Sequence, residues 1–391
     1  MSEFDFASLH ARWSFPTQVW FGAWRLSDLP AGLTEIGAKA PLLITDRGLA
    51  TSSIATQALE IVKAAGMEPG FFRDVQPNPT VENVMAGREV LRKGGHDCVI
   101  ALGGGSAMDA AKAVAMMAGQ SRPLMDFEDV GDNFRRVQTE GMVPVIAIPT
   151  TAGTGSEFGR SSVITDTQTH RKVIIFHPEM LPELVILDPE LTVGLPPTLT
   201  AATGMDALSH ALEALCAPGW HPMADGLALT ALKMIDGALA TAYWEPENLE
   251  ARSNMIVASA MACTALQKGL GAVHALAHPL GARYDAHHGM LNAVLMPHVL
   301  RFNLPAVREQ MATLAHELRL EGDDPGAAVL AWLEALQARI DMPSTLSEMG
   351  VKVNDSDIPA LVADALRDPC AGGNPIRLDA EGVEQILRAA R

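Results

Sequence analysis

The residues best suited to chemistry are an aspartate and several histidines in the second half of the chain. Asp206 and His210 lie four positions apart, as do His274 and His278, so each pair is expected on one face of a helix. Segment 284–289 adds two more histidines before a glycine. Imidazole nitrogens and carboxylate oxygens are typical ligands of divalent transition metals. A single histidine pair is more often structural, but several spaced sets together indicate a metal site.

A glycine-rich turn in the first half is suited to a phosphate group. Residues 103–106, Gly-Gly-Gly-Ser, follow an apolar strand-like run and precede an Ala-rich helical pattern. Glycine lets the backbone approach a ligand closely, and the free N–H groups at a helix start favour an anion. The turn is not GxGxxG, the Rossmann fingerprint, and a purely structural turn is the alternative. Asp109 and Lys112 follow one helix turn apart, and an exposed ion pair is their simplest interpretation.

Two further segments indicate a dinucleotide. Asp46 ends a predicted strand, where a carboxylate can accept hydrogen bonds from ribose hydroxyls and repel a 2′-phosphate, which favours NAD over NADP. A turn aspartate is the alternative, and the neighbouring Arg47 would weaken the preference. Segment 150–157 is dense in Thr, Gly and Ser. Such a loop can hydrogen-bond phosphate and ribose through side chains and backbone.

The elements that must position these residues alternate in the first half of the chain. The predicted strands cover residues 41–46, 71–75, 97–102, 143–148 and 184–188. The predicted helices cover residues 54–65, 80–93 and the stretch from the glycine turn to 118, and Thr80 is a suitable N-cap. This alternation predicts a Rossmann-like α/β domain with a parallel sheet covered on both faces by helices.

The second half of the chain has a different character. Segments 207–217, 226–241, 250–266 and 305–319 have helical patterns, and no alternating strand accompanies them. We therefore predict an α/β domain over residues 1–189 and an all-helical domain over residues 190–391, with the boundary near Pro189.

Composition excludes several classes of partner. The formal net charge of −17 disfavours nucleic acid and anionic lipid as partners. The N-terminal residues lack the pattern of a signal peptide, and no apolar run is long enough to span a bilayer. The four cysteines form no CxxC pair and are predicted to be free thiols of a reducing compartment. We therefore expect a cytoplasmic protein with neither a nucleic-acid nor a membrane partner.

These features together resemble the iron-containing (group III) alcohol dehydrogenases. The matching stretches are 103–112, 149–157, 204–210 and 274–289, followed near the end by Asp-Pro-Cys at 368–370 and Asn-Pro at 374–375. The resemblance extends from Asp46 to at least Pro297, and the spacing of the three downstream histidines is highly specific. It implies a dehydroquinate synthase-like architecture, in which a Rossmann-like NAD-binding domain precedes an all-α catalytic domain that binds the metal.

The resemblance also implies the residues of both sites. The implied metal ligands are Asp206, His210, His274 and His288, with Fe²⁺ as the ion, although these ligand types also suit Zn²⁺. The family does not require a histidine at His287. The implied NAD contacts are Asp46, Asn78, Gly105, Ser106, Thr150, Thr154, Val163, Lys172 and Leu191. For Lys172, a solvated lysine at a strand end is the alternative. We also expect a homodimer or a larger homo-oligomer.

The expected reaction is hydride transfer between NAD and a small primary or secondary alcohol or the matching aldehyde. A bound metal would polarise the alcohol oxygen, and His278 would relay the proton, with a structural role as the alternative. Pro279 directly follows His278, which predicts that their helix ends near this point. By resemblance, the small residues Ser161, Ala265 and Cys370 line a substrate pocket with room beyond ethanol.

Two other classes of protein share some of these features. A dehydroquinate synthase-like lyase also combines NAD with a metal, but its phosphorylated substrate would require several Lys and Arg residues. Segment 274–288 holds only Arg283, with Lys268 just upstream. A non-catalytic metal- or nucleotide-binding protein is the third interpretation. A zinc protease is disfavoured because no glutamate directly follows His274 to form HExxH.

Overall fold

The computed structural model describes residues 17–169 and 171–391. The chain divides into two compact units, one ending at Leu195 and the other beginning at Pro196. This division lies a few residues after the boundary predicted near Pro189, because the short 3₁₀ helix Pro189–Thr192 belongs to the first unit.

The first unit is built on a parallel sheet. Its strands are β1 (Gln18–Phe21), β2 (Pro41–Asp46), β3 (Gly70–Val75), β4 (Cys98–Gly103), β5 (Val145–Pro149) and β8 (Leu184–Leu187). They lie in the order β1-β8-β5-β4-β2-β3, and each neighbouring pair is parallel. The intervening strands β6 (Ser161–Asp166) and β7 (Arg171–Phe176) form a separate antiparallel pair. The predicted parallel sheet is therefore confirmed.

Local sequence signals explain where the helices of the first unit begin. These helices are α1 (Leu29–Glu35), α2 (Ser53–Ala64), α3 (Val81–Gly94) and α4 (Gly105–Met117). The Thr80 hydroxyl accepts a hydrogen bond from the Asn83 N–H, and the Asn83 side chain accepts one from the Thr80 N–H. This reciprocal pair satisfies backbone donors that a helix start leaves free, and it confirms Thr80 as the N-cap of α3.

The centre of the sheet explains why its strands are continuous apolar runs. Every residue of β4, β5 and β8 is buried. Leu43, Ile100, Ile146 and Ile186 have no exposed surface and belong to one hydrophobic cluster. A strand covered on both faces has no polar side, so alternation disappears and the runs Cys98–Gly103 and Val145–Pro149 remain apolar throughout.

The second unit is helical, as predicted. Its α-helices are α5 (Pro197–Cys216), α6 (Pro222–Trp244), α7 (Leu249–Ala265), α8 (Ala272–Tyr284), α9 (His288–Asn303), α10 (Arg308–Glu317), α11 (Pro325–Arg339), α12 (Ile358–Arg367) and α13 (Ala380–Ala390). No residue from Pro196 to Arg391 belongs to a strand. Buried alanines are frequent along α5, α6 and α7, and small side chains let helices pack closely.

The prediction that a helix ends near His278 is wrong. Helix α8 contains Pro279 in its interior and continues to Tyr284. Proline lacks the N–H that would bond the Ala275 carbonyl, so this turn loses one hydrogen bond. The helix continues because its apolar residues, including Leu276 and Leu280, are completely buried by tertiary packing.

Among the described residues, no individual helix has both the length and the apolar character needed to cross a membrane. Leu249–Lys268 and Ala272–Tyr284 reach that length and hydropathy only as a pair, with a bend of 106° between them.

Candidate active site

Helix α5 carries three polar residues that line one face of the second unit's core. Asp206, His210 and Glu213 are spaced by four and three positions, so they lie on the same side of the helix. All three are buried, and Asp206 is only 2% exposed. Burying so many polar atoms on one helix costs free energy unless each finds a partner. Glu213 and Asp206 find hydrogen-bond partners on α8 and α9, whereas the buried Nδ1 atom of His210 has none.

Three histidines converge on one carboxylate oxygen. The Oδ1 atom of Asp206 lies 3.7 Å from the Nε2 atom of His210, 4.0 Å from that of His274 and 3.6 Å from that of His288. The His210 and His274 rings are stacked with centroids 4.8 Å apart. The structure therefore brings together the four residues proposed from the sequence as metal ligands, which lie on α5, α8 and α9.

The donor set fits a divalent metal ion. Ligand atoms bound to one ion at about 2.1 Å in a tetrahedral arrangement lie about 3.4 Å apart, close to the separations between Asp206 Oδ1 and the three nitrogens. Burial is the main cause that keeps the pKa of His274 well below its usual range, and the neighbouring imidazole of His210 lowers it further. The ring is therefore neutral and able to donate a lone pair. Among the described residues, no lysine or arginine forms an ion pair with Asp206.

Asn292 is part of this cluster and was missed from the sequence. It lies on α9, one turn after His288, and is completely buried. Its Nδ2 atom donates to Asp206 Oδ1 at 2.7 Å and lies 3.3 Å from His274 Nε2 and 3.2 Å from His288 Nε2. The four-residue spacing from His288 is the sequence signal that would have identified it.

The glycine after His288 has a steric function. A Cβ atom on Gly289 would lie 2.1 Å from the Ala202 carbonyl oxygen of α5 and 3.4 Å from the Cβ of Asp206. No side chain fits at that distance. The absence of a side chain on Gly289 lets α9 approach α5, so that His288 reaches the carboxylate of Asp206.

His278 lies beside this cluster and is oriented by a second carboxylate. Its Nδ1 atom is 2.7 Å from Asp368 Oδ2, and its ring is 5.9 Å from that of His274 and stacked 5.6 Å from that of His288. Burial is the largest single influence on Asp368 and opposes its ionisation, but the interactions with His278 and Cys370 together outweigh it and lower the pKa of the carboxyl. The backbone N–H of Cys370 also donates to Asp368. Burial raises the pKa of the Cys370 thiol well above its usual value.

The glycine turn of the first unit joins β4 to α4. Gly104 is the N-cap of α4 and provides no side chain to satisfy the first N–H groups of that helix. A Cβ on Gly105 would lie 2.6 Å from the Cγ2 atom of Thr154, so the loop after β5 packs directly onto the turn. The Thr150 N–H donates to the Gly103 carbonyl at 3.0 Å and ties the same two segments together.

The two carboxylate oxygens of Asp46 have different surroundings. Its Oδ1 atom accepts a hydrogen bond from the Leu49 N–H at 2.9 Å, which makes it a turn aspartate. Its Oδ2 atom faces the glycine turn, 3.2 Å from where a Cβ on Gly103 would be. One oxygen therefore holds the turn while the other lies at the carboxyl end of the parallel strands, where nucleotides bind in such sheets.

The other residues expected to contact NAD also lie in the first unit. Lys172 is half-buried near the start of β7 and donates from Nζ to Asn78 Oδ1 at 2.8 Å, which joins two of these residues. Asn78 has a φ of 54°, an unusual backbone conformation outside glycine. Ser106 is in the first turn of α4, Val163 is in β6 and Leu191 is in a 3₁₀ helix.

The interpretation of Asp109 and Lys112 as an exposed ion pair is also wrong. Lys112 is only 1% exposed, and its Nζ atom lies 3.6 Å from Asp109 Oδ1. The ammonium donates to the carbonyls of Ser156, at 2.7 Å, and Gly159, at 3.3 Å, and also to that of Ser161. Asp109 accepts from the Ser156 hydroxyl and from the Val163 N–H. The pair therefore fastens the loop after β5 to α4.

Comparison with known proteins agrees with this geometry. The family model described as iron-containing alcohol dehydrogenase matches residues 16–189. The model described as Fe-containing alcohol dehydrogenase family, C-terminal, matches residues 200–391. An α/β unit followed by a helical unit that holds a cluster of histidines is the architecture that the resemblance implied.

Individual relatives cover nearly the whole chain. The NAD-dependent methanol dehydrogenase of Bacillus methanolicus is 37% identical over 94% of this chain and 97% of that protein. The 4-hydroxybutyrate dehydrogenase of Cupriavidus necator is 38% identical over 94% of this chain and 96% of that protein. A crystal structure of 1,3-propanediol oxidoreductase superposes with a TM-score of 0.92 at 35% identity, covering 97% of this chain and 100% of that one.

The chain therefore belongs to the iron-containing alcohol dehydrogenase family. It is a metal- and NAD-dependent oxidoreductase that transfers a hydride between NAD and a small alcohol or aldehyde. The comparisons give no support to the dehydroquinate synthase-like lyase considered as the alternative.

Proposed function

We propose that this enzyme is an Fe²⁺-dependent dehydrogenase of short primary alcohols that prefers NAD to NADP. The observation that carries the proposal is the convergence of three histidine Nε2 atoms on Asp206 Oδ1 in a buried site. The proposed metal ligands are Asp206, His210, His274 and His288. The family's description supports iron, although His and Asp ligands also accept zinc.

In this proposal the metal and the residues beside it perform different parts of the reaction. A divalent ion bound there supplies Lewis-acid polarisation of the substrate oxygen. His278 holds or accepts the proton that the alcohol loses, and Asp368 orients the imidazole through Nδ1. Asn292 holds the carboxylate of Asp206 and restricts its rotation.

The first unit binds the dinucleotide in this proposal. The proposed contacts are Asp46, Asn78, Gly105, Ser106, Thr150, Thr154, Val163, Lys172 and Leu191. The uncapped start of α4 suits the pyrophosphate, since its N–H groups and dipole favour an anion. The free oxygen of Asp46 supports the preference for NAD, because a 2′-phosphate beside it would meet a negative charge.

The names of the relatives support a primary alcohol as the substrate. Methanol, 4-hydroxybutyrate and 1,3-propanediol share a terminal carbinol group and differ in what is attached to it. We therefore propose that the site selects the unhindered CH₂OH group, and that short straight-chain alcohols, diols and hydroxy acids are the candidates.

Cellular context and assembly complete the proposal. Cys98, Cys216 and Cys370 are buried free thiols, which supports a reducing cytoplasmic environment. Val19 and Phe21 on the edge strand β1 are exposed, which supports association between copies into a homo-oligomer. Light scattering after gel filtration measures the assembly directly, and a monomer at assay concentration would contradict it.

Reconstitution tests the proposed reaction. The full-length chain is stripped with a chelator, reloaded with Fe²⁺ or Zn²⁺ under anaerobic conditions, and assayed by NADH absorbance on a panel of primary and secondary alcohols. We expect Fe²⁺ to restore turnover with primary alcohols. His288→Ala should lose both metal and turnover, whereas His287→Ala, an exposed neighbour, should keep both. Full metal content and normal turnover in His288→Ala would refute the metal assignment.

A further inference from the structure

Glu213 is a buried carboxylate that the proposed reaction does not use. It lies on α5, three residues after His210, and is 7% exposed. Its Oε2 atom is 2.6 Å from His274 Nδ1, and its Oε1 atom accepts a hydrogen bond from the Val273 N–H at 2.7 Å. Both oxygens are therefore directed at the start of α8, the helix that carries His274.

The two nitrogens of His274 face in different directions. Nδ1 meets Glu213, whereas Nε2 lies 4.0 Å from Asp206 Oδ1. A neutral imidazole carries one proton, and the nitrogen that lacks it is the one that binds a metal. A carboxylate at Nδ1 favours the tautomer with the proton on Nδ1 and leaves the lone pair of Nε2 directed into the cluster.

The backbone at the start of α8 lacks a cap of its own. The N-cap residue is Gly271, which has no side chain to accept from the first N–H groups of the helix. Acceptors come instead from distant residues: Glu213 takes the Val273 N–H, and Asn374 Oδ1 takes the Ala272 N–H at 3.1 Å. Glu213 thus holds both the helix start and the imidazole of His274.

We propose that Glu213 is a positioning residue that sets the tautomer and ring orientation of His274 for metal binding. This inference rests on the proposed metal site, since it assigns His274 as a ligand. Partners of this kind typically contribute 10–100-fold to metal affinity. Because Glu213 contacts a ligand and not the substrate, its effect should appear in metal binding before it appears in turnover.

The direct test is the tautomer of His274 in the full-length chain. Long-range ¹H–¹⁵N spectra of the histidine-labelled, metal-stripped protein distinguish a proton on Nδ1 from one on Nε2, and the His274→Ala spectrum identifies the signal. We expect the proton on Nδ1. A proton on Nε2 in the parent would overturn the proposal without any variant of Glu213 having to fold.

The second test is Zn²⁺ affinity, measured by competition with a chromophoric chelator. Glu213→Gln keeps the size of the side chain but replaces one acceptor oxygen by a donor, and we expect Zn²⁺ binding to weaken about 10–100-fold. In a His274→Ala background the same substitution should have no further effect, because the residue through which it acts is gone. Unchanged affinity in Glu213→Gln would overturn the proposal.

Asn374→Ala is the matched control for the capping function. It removes the other distant acceptor at the start of α8, so we expect a lower melting temperature with Zn²⁺ affinity close to that of the parent. An equal loss of affinity in both variants would show that Glu213 acts only as a cap. Parent-like Zn²⁺ binding by His274→Ala would instead refute the metal site itself.

Discussion

At the scale of single residues, two histidines that look equivalent in the sequence, His274 and His278, differ in their contacts. His274 and His278 are one turn apart on α8, and each has Nδ1 against a carboxylate, Glu213 for the first and Asp368 for the second. Only His274 also lies within 4.0 Å of Asp206. One helix therefore carries both a proposed metal ligand and the neighbouring imidazole for which we propose proton transfer.

Replacing His278 should separate metal binding from turnover. His278→Ala leaves the four proposed ligands in place, so the metal content should equal that of the parent. Loss of a general acid–base group should lower kcat roughly 10²–10⁴-fold and change the pH profile of the reaction. Metal analysis and steady-state kinetics check this together. Near-normal kcat with the same pH dependence would show that His278 is structural, and loss of the metal would make it a ligand.

Asp46 should control the choice of dinucleotide. In Asp46→Gly the carboxylate that would repel a 2′-phosphate is removed, so the ratio of kcat/KM for NAD over NADP should fall toward one. The loss of the hydrogen bond to Leu49 should affect both cofactors alike. Equal use of NADP by the parent enzyme would contradict the prediction and assign the dominant effect to Arg47.

Glu157 should make the stability of the first unit depend on pH. It is 2% exposed, its Oε1 atom has no hydrogen-bond partner, and burial raises the pKa of its carboxyl to about 7. The folded carboxyl holds its proton more tightly than the unfolded one. Its contribution to stability is therefore lost as pH rises from about 4.5 to about 7, by roughly 3 kcal/mol in total.

The glutamine variant isolates this effect. Glu157→Gln does not ionise, so its urea midpoint relative to the parent should be higher at pH 8 than at pH 5. Glu140→Gln, at an exposed position of the same unit, is the control and should show no such change. A constant difference between parent and Glu157→Gln across this range would contradict the expected titration.

At the scale of elements, the segments with strong periodicity or continuous apolar runs were predictable. Strand β2 was predicted at its observed bounds, and α2 and α3 were predicted within one residue. The edge strand β1 was missed because it is mostly exposed and short. The β6–β7 pair was missed because each strand contains both polar and apolar residues. The two strands also pair with each other, outside the main sheet.

From spacing alone, the site was predictable only where its residues share a helix, and the meeting of α5, α8 and α9 was expected only from the family resemblance. The pair Asp206 and His210 follows from helical spacing alone. Asp368 lies 90 positions from His278, so no local pattern joins them. The burial of Lys112 was equally hidden, since a lysine three residues after an aspartate is usually a surface pair.

The attachment of the loop after β5 to α4 depends on Lys112. Lys112→Met keeps the apolar stem but leaves three carbonyls and the Asp109 carboxylate without their cation. Breaking a buried pair of this kind costs about 3–5 kcal/mol, so both urea stability and NAD affinity should fall. Lys93→Met, at an exposed ion pair on α3, should change neither. Parent-like NAD binding by Lys112→Met would show that the loop is held without it.

At the scale of the whole molecule, the two candidate sites lie in different compact units. All the proposed NAD contacts precede Leu195, and all the proposed metal ligands follow Pro196. A ligand that binds only the folded state stabilises the part that holds it. Each cofactor should therefore protect its own unit.

Hydrogen exchange followed by mass spectrometry can measure this separation. Chelation should abolish activity and increase deuterium uptake in α5, α8 and α9, while β4 and β5 keep their protection. NAD should lower uptake around residues 103–112 and 150–157. Equal loss of protection in the β-sheet on chelation would contradict the prediction that the metal stabilises only the helical unit.

The amine of Lys112 is buried and donates to backbone carbonyls, so reagents dissolved in water cannot reach it. Exposed lysines such as Lys93 would be acylated within minutes by an excess of an acylating reagent, whereas Lys112 would react only in molecules whose first unit has opened. The slow appearance of acylated Lys112 peptide would thus record how often that unit opens under native conditions. The acylation rate of Lys112 would therefore measure the opening rate of the first unit.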